Sequence, residues 1–221
     1  MNGHGAAAVP AAAPPGSSTP AWRLLGTLTL AGAFAGALIA LVYQMTLPSI
    51  ERYAGAKISG AVREVLGAPV RLDTLYLDGD KLTRTSPGAG ARNVSRAFVG
   101  FDEKGARTGV AVEAAEPGFA DLVRLMVGFN PDTRAVTGFV VLGQKETPGL
   151  GDKIKRDSFF VSQFDGKVAP LKGAKSESAD ASTVRTITGA TISSRAVIQI
   201  INNAVALWQP RVAAFDAGEG T

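Results

Sequence analysis

Thr186-Ile187-Thr188-Gly189-Ala190-Thr191-Ile192-Ser193-Ser194 runs directly into a stripe of apolar residues: Ala196, Val197, Ile200, Ile201, Ala204, Val205 and Trp208. Recurrence at three and four residues is the buried face of one amphipathic helix. Ser193 and Ser194 are of the type that caps helix N-termini, and Pro210 is expected to stop the helix. Gly189 allows the backbone to approach a ligand closely. The first turn of a helix carries unpaired N–H groups and a partial positive charge. A phosphate there gains roughly 0.3–2 kcal/mol from the dipole, plus hydrogen bonds. Thr191 has a hydroxyl placed to meet such a phosphate. A plainer reading of the same residues is an ordinary capped helix with a Ser/Thr-rich lead-in, and the spacing alone leaves both open.

Upstream of this segment the chain has strand character. Val70 to Leu77 alternates in part, and Val94 to Phe101, Gly109 to Val112 and Asp121 to Phe129 are short apolar runs. Asn130-Pro131-Asp132-Thr133 is a turn, and Val136 to Leu142 reads as the returning strand of a hairpin. Lys145 to Gly151 is expected to be a loop, Ser158 to Phe164 fits a short helix or a strand, and residues 172–183 read as a polar surface loop.

Nearer the N-terminus, residues 1–20 are almost all Ala, Pro, Gly and Ser, a composition that buries no core and is expected to be disordered. Leu24 to Tyr43 contains no charged residue. That length matches the ~20 residues a helix needs to cross a bilayer. Trp22 and Tyr43 bracket the run as interfacial aromatics do. The rival is a cleaved signal peptide with Ala54-Gly55-Ala56 as its site. The apolar run exceeds the ~7–15 residues of a signal core, and that site lies far past its end, so a retained anchor is favoured. Gly32 and Gly36 form a small-xxx-small face open to another helix, though small residues are common in membrane helices. Arg23 precedes the run while Arg52, Lys57 and Arg63 follow it, a weak bias toward a cytoplasmic C-terminal domain. Pro48 is expected to interrupt the chain, after which Ile50, Tyr53, Ala54, Ile58, Val62 and Val65 mark a second amphipathic helix ending near Gly67 and Pro69.

Composition removes several chemistries. Of 221 residues, 46% are hydrophobic and 19% charged, with net charge +4. No cysteine is present, which excludes thiol nucleophiles, disulfides and thiolate-held clusters. The single histidine, His4, lies in the low-complexity tail, so no histidine triad or multi-histidine metal site can form. No metal site and no catalytic side chain are assigned. Basic residues are scattered without interleaved aromatics, which argues against a nucleic-acid surface. Redox chemistry here would need an organic cofactor.

Thr188-Gly189-Ala190-Thr191 resembles the S/T-G-A-T flavinylation motif of FMN-binding domains. Lys145-Glu146-Thr147-Pro148-Gly149-Leu150-Gly151-Asp152-Lys153 resembles the E-T-P-G-L-G segment of the same domains, and the two blocks stand in the family order. Gly118-Phe119-Ala120-Asp121 followed by Leu125-Met126-Val127-Gly128 resembles the family's strand region. The likeness runs over residues 24–208. These domains occur in the G subunit of the Rnf ion-translocating electron-transport complex and in the C subunit of the sodium-pumping NADH:quinone oxidoreductase, and Thr191 to Val197 is similar to the former above all.

The resemblance implies an FMN joined by a phosphoester to Thr191 by an FMN transferase. It implies contacts from Thr188, Gly189 and Ala190 around the phosphate, and from Glu146, Thr147, Gly149, Leu150 and Lys153 near the isoalloxazine or ribityl chain; by its charge alone, Lys153 is expected to stabilise a reduced anionic flavin. Partners implied are the other membrane subunits of an Rnf-type complex that moves electrons between ferredoxin and NAD, with the flavin domain outside the cytoplasm of a bacterial inner membrane. Two positions depart from the pattern: Arg185 stands where an aspartate often precedes the motif, and Gln144 where a histidine often precedes Lys145. These departures keep a flavin-free membrane-anchored scaffold as the rival reading, beside the C subunit of the sodium pump. The expected fold class is α+β: a tail over 1–20, an anchor over 21–46, a juxtamembrane helix over 47–69, an FMN-binding domain of antiparallel sheet and packed helices over 70–211, and a flexible C-terminus over 212–221.

Overall fold

A computed structural model describes residues 20–86 and 94–219. The expected disorder of the N-terminal tail, Pro20 aside, lies outside the described residues. Two compact units divide near Arg52. The first, over its described residues, is helical: α1 (Ala21–Val65) begins here, and an 18-residue window within it reaches a mean hydropathy of 2.0 with none of the window buried. This helix is long and apolar enough to cross a membrane. Pro48 lies inside α1 and does not divide it into anchor and juxtamembrane helices. A proline removes a single N–H from the helical ladder, and here the turns on both sides hold.

The second unit, from Tyr53 onward, is an α+β domain. Its frame is a six-stranded antiparallel sheet made of β1 (Arg71–Asp78), β2 (Lys81–Thr83), β3 (Arg96–Phe101), β4 (Arg107–Pro117), β5 (Leu122–Phe129) and β6 (Val136–Gly143), in the order β2-β1-β3-β4-β5-β6. The β5–β6 hairpin turns where expected: Asn130 Oδ1 accepts from the N–H of Asp132 at 2.8 Å, the local bond that makes asparagine a turn former.

Both faces of the sheet are covered. Side chains alternate along a strand, so Leu125 and Val127 point into the larger core with Val197, Ile200, Ile201 and Trp208 of α4 (Thr191–Ala214). Met126, with Ala111 of β4, packs instead against Ala61, Val62, Val65 and Leu66 at the end of α1. Burial on both sides explains why β5 reads as an almost unbroken apolar run. Gly128 admits the helix end: a β-carbon there would stand 2.7 Å from the carbonyl oxygen of Val65. Thr137 Oγ1 donates to that same oxygen at 2.6 Å.

Two short helices, α2 (Lys153–Arg156) and α3 (Ser158–Ser162), follow the sheet. The ambiguous 158–164 stretch is thus helical. Asp157 caps α3 by accepting from the N–H of Phe160, and Phe160 and Phe164 stack edge-on against Phe139 of β6. The 172–183 segment is not wholly a loop. Its first residues form β7 (Lys172–Ala174), paired in parallel with β8 (Thr183–Arg185).

Pro210 does not stop α4, and residues 212–219 are not a loose tail. The helix continues to Ala214 and closes with a π turn over Phe215–Glu219. Val212 is buried in the core, and Arg211 donates to Asp80 at 2.5 Å. Tertiary packing thus holds the turn in which the proline leaves a gap.

Candidate functional site

The helix α4 starts at Thr191, two residues before the serines expected to cap it. Its N-cap is Ala190, which has no side chain able to bond the first turn. Ser193 and Ser194 are buried inside that turn. Ser194 Oγ donates to Ala190 O at 2.9 Å and accepts from the N–H of Ile187 at 3.0 Å, which closes the Thr186–Ala190 lead-in onto the helix. Gly189 sits at φ +83°, a left-handed conformation natural to glycine. With no capping side chain, the N–H groups at the helix mouth are left for an anion, and the helix dipole favours one.

Beside this mouth lies the loop from Lys145 to Gly151. Asp152 is buried; its Oδ1 accepts from the N–H of Gly149 at 2.7 Å, and its Oδ2 pairs with Arg156 at 3.2 Å. The loop is therefore fixed by the residue that follows it. Glu146, only 4% exposed, reaches away from it. Its Oε1 accepts from the N–H groups of Phe119 at 2.9 Å and Ala120 at 3.1 Å, and its Oε2 accepts from the hydroxyl of Ser193. One carboxylate thus joins the β4–β5 turn, the 145–151 loop and the first turn of α4.

Between these three segments is a cleft of about 330 Å³, lined by Phe119, Glu146, Thr147, Leu150, Gly151 and residues 189–193. Its size falls at the lower end of the ~300–1,000 Å³ of ligand clefts. Three apolar side chains line it yet stay open to solvent: Phe119 at 67%, Ile192 at 54% and Leu150 at 50% exposure. Exposed apolar surface around a helix N-terminus suits a ligand with a flat aromatic body and a phosphate end.

Of the residues singled out in the sequence, Glu146, Thr147, Leu150, Gly189, Ala190 and Thr191 meet at this cleft. Thr188, Gly149 and Lys153 do not line it. Thr188 faces a neighbouring hollow with Asp157, Phe160 and Arg185. Gly149 forms the turn at φ +77°, and Lys153 is exposed at the start of α2. Arg185 stacks on Phe159 at 4.5 Å; its N–H donates to Gln163 Oε1 and its carbonyl accepts from Gln163 Nε2. Phe119, Gly151, Ile192 and Ser193 also line the cleft, though the sequence does not mark them as site residues. Phe119 is brought in by Glu146 across 27 residues of sequence, a contact with no local trace. Gln144 Oε1 accepts from the N–H of Glu146, so it serves the loop's own shape.

Comparison with known proteins agrees with this geometry. Residues 118–206, which span all three segments of the cleft, match the family model for the FMN-binding domain. The chain is similar to the G subunit of the ion-translocating oxidoreductase complex of Pseudomonas aeruginosa, 32% identical over 193 residues covering 82% of this chain and 84% of that protein. The chain belongs to the family of G subunits of ion-translocating oxidoreductase complexes. A relative named the same way in Methanosarcina acetivorans is 29% identical over 83% of this chain and 92% of its own length. A third, the G subunit of the proton-translocating ferredoxin:NAD(+) oxidoreductase complex of Clostridium ljungdahlii, is 28% identical over 80% of this chain and 86% of that protein. Among solved structures, Shewanella oneidensis NqrC shares the fold of this family member, with a TM-score of 0.55 and 22% identity over 70% of this chain and 88% of that one.

Proposed function

We propose that this protein is the flavin-carrying electron-relay subunit of a membrane-bound ion-translocating oxidoreductase complex, with FMN esterified to the hydroxyl of Thr191. The observation that carries this reading is the position of Thr191: a hydroxyl on the first residue of α4, in the cleft wall, at an uncapped helix N-terminus. The FMN-binding domain match and the names of the relatives support it.

The cleft fits such a group. The helix mouth takes the phosphate, Gly189 brings backbone close without a side chain in the way, and Phe119, Leu150 and Ile192 offer apolar surface to the ring system. In attachment, Thr191 Oγ1 bonds to phosphorus and gives up its proton. The co-reactant is a flavin phosphoanhydride, whose other half leaves as the monophosphate, and a transferase acting on the chain catalyses the exchange. Once bound, the flavin supplies the electron chemistry, while the protein fixes its position and electrostatic surroundings. Lys153 is exposed at the start of α2, outside the cleft lining.

Intact mass tests the reading. Chain co-expressed with an FMN transferase should carry the flavin adduct, Thr191→Ser should carry it in part, and Thr191→Ala should carry none. An adduct on the alanine form would move the attachment elsewhere, and a bare wild-type mass would remove the relay function. The candidate span in α1 and the relatives' membership of an ion-translocating complex support a single-pass protein of the inner membrane, alongside the complex's other membrane subunits. We place the domain on the extracytoplasmic side, as the family resemblance implies. Protease added to intact spheroplasts should then cut it, and resistance until lysis would reverse the orientation.

A further inference from the structure

Two acids are buried beside the cleft, and they differ in how their charge is met. Asp152 lies off the cleft and has Arg156 against it at 3.2 Å. Glu146 lines the cleft and, among the described residues, has no cation within ion-pair distance. Its neighbour Lys145 is turned to Asp121 instead, at 3.0 Å. Only dipoles answer the Glu146 carboxylate: two backbone N–H groups and the Ser193 hydroxyl. A buried charge without a counter-ion is costly to maintain. The backbone on either side is shaped to keep it. Gly118 and Gly151 both lack the β-carbon that would collide with its oxygens.

We infer that Glu146 is the positioning residue of the flavin cleft, clasping the Phe119 turn to the first turn of α4 and setting an uncompensated negative charge against the bound flavin. This rests on the FMN reading above. The clasp fixes the distance between an exposed aromatic face and the Thr191 hydroxyl, because Phe119 and Ser193 are bound to opposite oxygens of one rigid group. The charge acts on electron uptake. A flavin gaining negative charge next to an uncompensated carboxylate is destabilised by Coulomb repulsion, most strongly where water is excluded. The flavin of this protein is therefore held at a lower potential than the same cleft would give without the acid.

Two variants separate shape from charge. Glu146→Gln keeps the length and one carbonyl oxygen for the Phe119 and Ala120 N–H groups, but removes the charge. Glu146→Asp keeps the charge but is one methylene too short to bridge. In full-length chain in detergent, purified without flavin, amide hydrogen exchange should show Phe119 and Ala120 protected in wild type and Glu146→Gln, and exposed in Glu146→Asp. In flavin-loaded chain, the midpoint potential should rise in Glu146→Gln and stay unraised in Glu146→Asp. Unchanged protection in Glu146→Asp, or a Glu146→Gln potential equal to or below wild type, would overturn the inference while leaving the FMN reading standing. A wild-type chain that gains no flavin mass under an active transferase would overturn both.

Discussion

The β-carbon that Gly151 lacks would stand 2.6 Å from Oε2 of Glu146 and 2.9 Å from Oγ of Ser193. The glycine is thus a matter of room for a buried hydrogen bond. Gly151→Ala should push the carboxylate off Ser193 and cost about 1–3 kcal/mol, the usual range for overpacking a tight site. Thermal unfolding of the detergent-solubilised chain should show a lower midpoint, and intact mass a smaller fraction of flavin adduct. An unshifted midpoint would mean that the 145–151 loop moves aside freely.

Gly189 makes a different demand. A β-carbon there meets only Leu150 Cδ2, at an ordinary 3.7 Å, so space is not the obstacle. Its φ of +83° is the obstacle, since a left-handed residue with a β-carbon costs roughly 1–2 kcal/mol. Gly189→Val should therefore lose flavin attachment through a shift of the Thr191 backbone, while Gly189→Asn, whose side chain tolerates this region, should retain much of it. Equal adduct fractions in the two variants, read by intact mass, would show that the left-handed turn does not govern attachment.

The parts of this molecule legible in the sequence are those built from local contacts. The Asn130 turn is written in four neighbouring residues, and the α4 stripe in one periodic run. The cleft's motif loops are legible as well, because each is a contiguous block. What escapes the sequence arises between distant segments. Ser193 and Ser194 look like caps because hydroxyls before an apolar stripe usually are, yet the helix begins earlier. Their hydroxyls are claimed by Glu146, 47 residues away, and by Ile187. The pairing of β7 with β8 rests on three residues per strand, too few to show alternation. Pro48 and Pro210 mislead in the same way: a local rule predicts a break, and the helix runs through each, near Pro210 with Trp208 and Val212 buried on either side. Phe119 is held at the cleft by Glu146, with Lys145 on Asp121 beside it, contacts across more than twenty residues that no pattern around residue 119 records.

Asp121, in the turn that presents Phe119, has its carboxyl held below its ordinary value of 3.8. The hydrogen bond from Lys145 is the main cause, followed by the N–H of Leu122 and the charge of Lys145. A lowered folded-state pKa means the group supports the fold above its unfolded value and loses that support as pH falls through the folded one. The turn should therefore keep its Asp121–Lys145 contact down to pH 3.8 and release it only in more acid solution. The pair is exposed, so salt should weaken its charge component. The Leu122 amide resonance, followed against pH, should titrate with a midpoint below 3.8 in wild type and move upward in Lys145→Gln. A midpoint unchanged by that substitution would show that the lysine does not set it.

The chain beyond Pro210 is bound into the domain at several points. Val212 is 1% exposed, Arg211 donates to Asp80 at 2.5 Å, Arg84 lies over the Phe215 ring at 5.1 Å, and Arg107 bridges Asp216 and Asp132. Fully burying a valine side chain contributes about 1.5–3 kcal/mol, and exposed ion pairs add ~0–1 kcal/mol each. A chain ended after Gln209 should consequently lose about 2–4 kcal/mol from these sources together. Val212→Asp should lose at least as much, because it buries a carboxylate beside the apolar core. The cleft lies at the opposite end of α4, so the truncated chain should still accept flavin at Thr191 at temperatures where it is folded. Chemical unfolding of the two variants measures the loss, and intact mass after co-expression with the transferase measures the flavin. Wild-type stability after truncation would show that the terminal turns, though packed, do not support the domain.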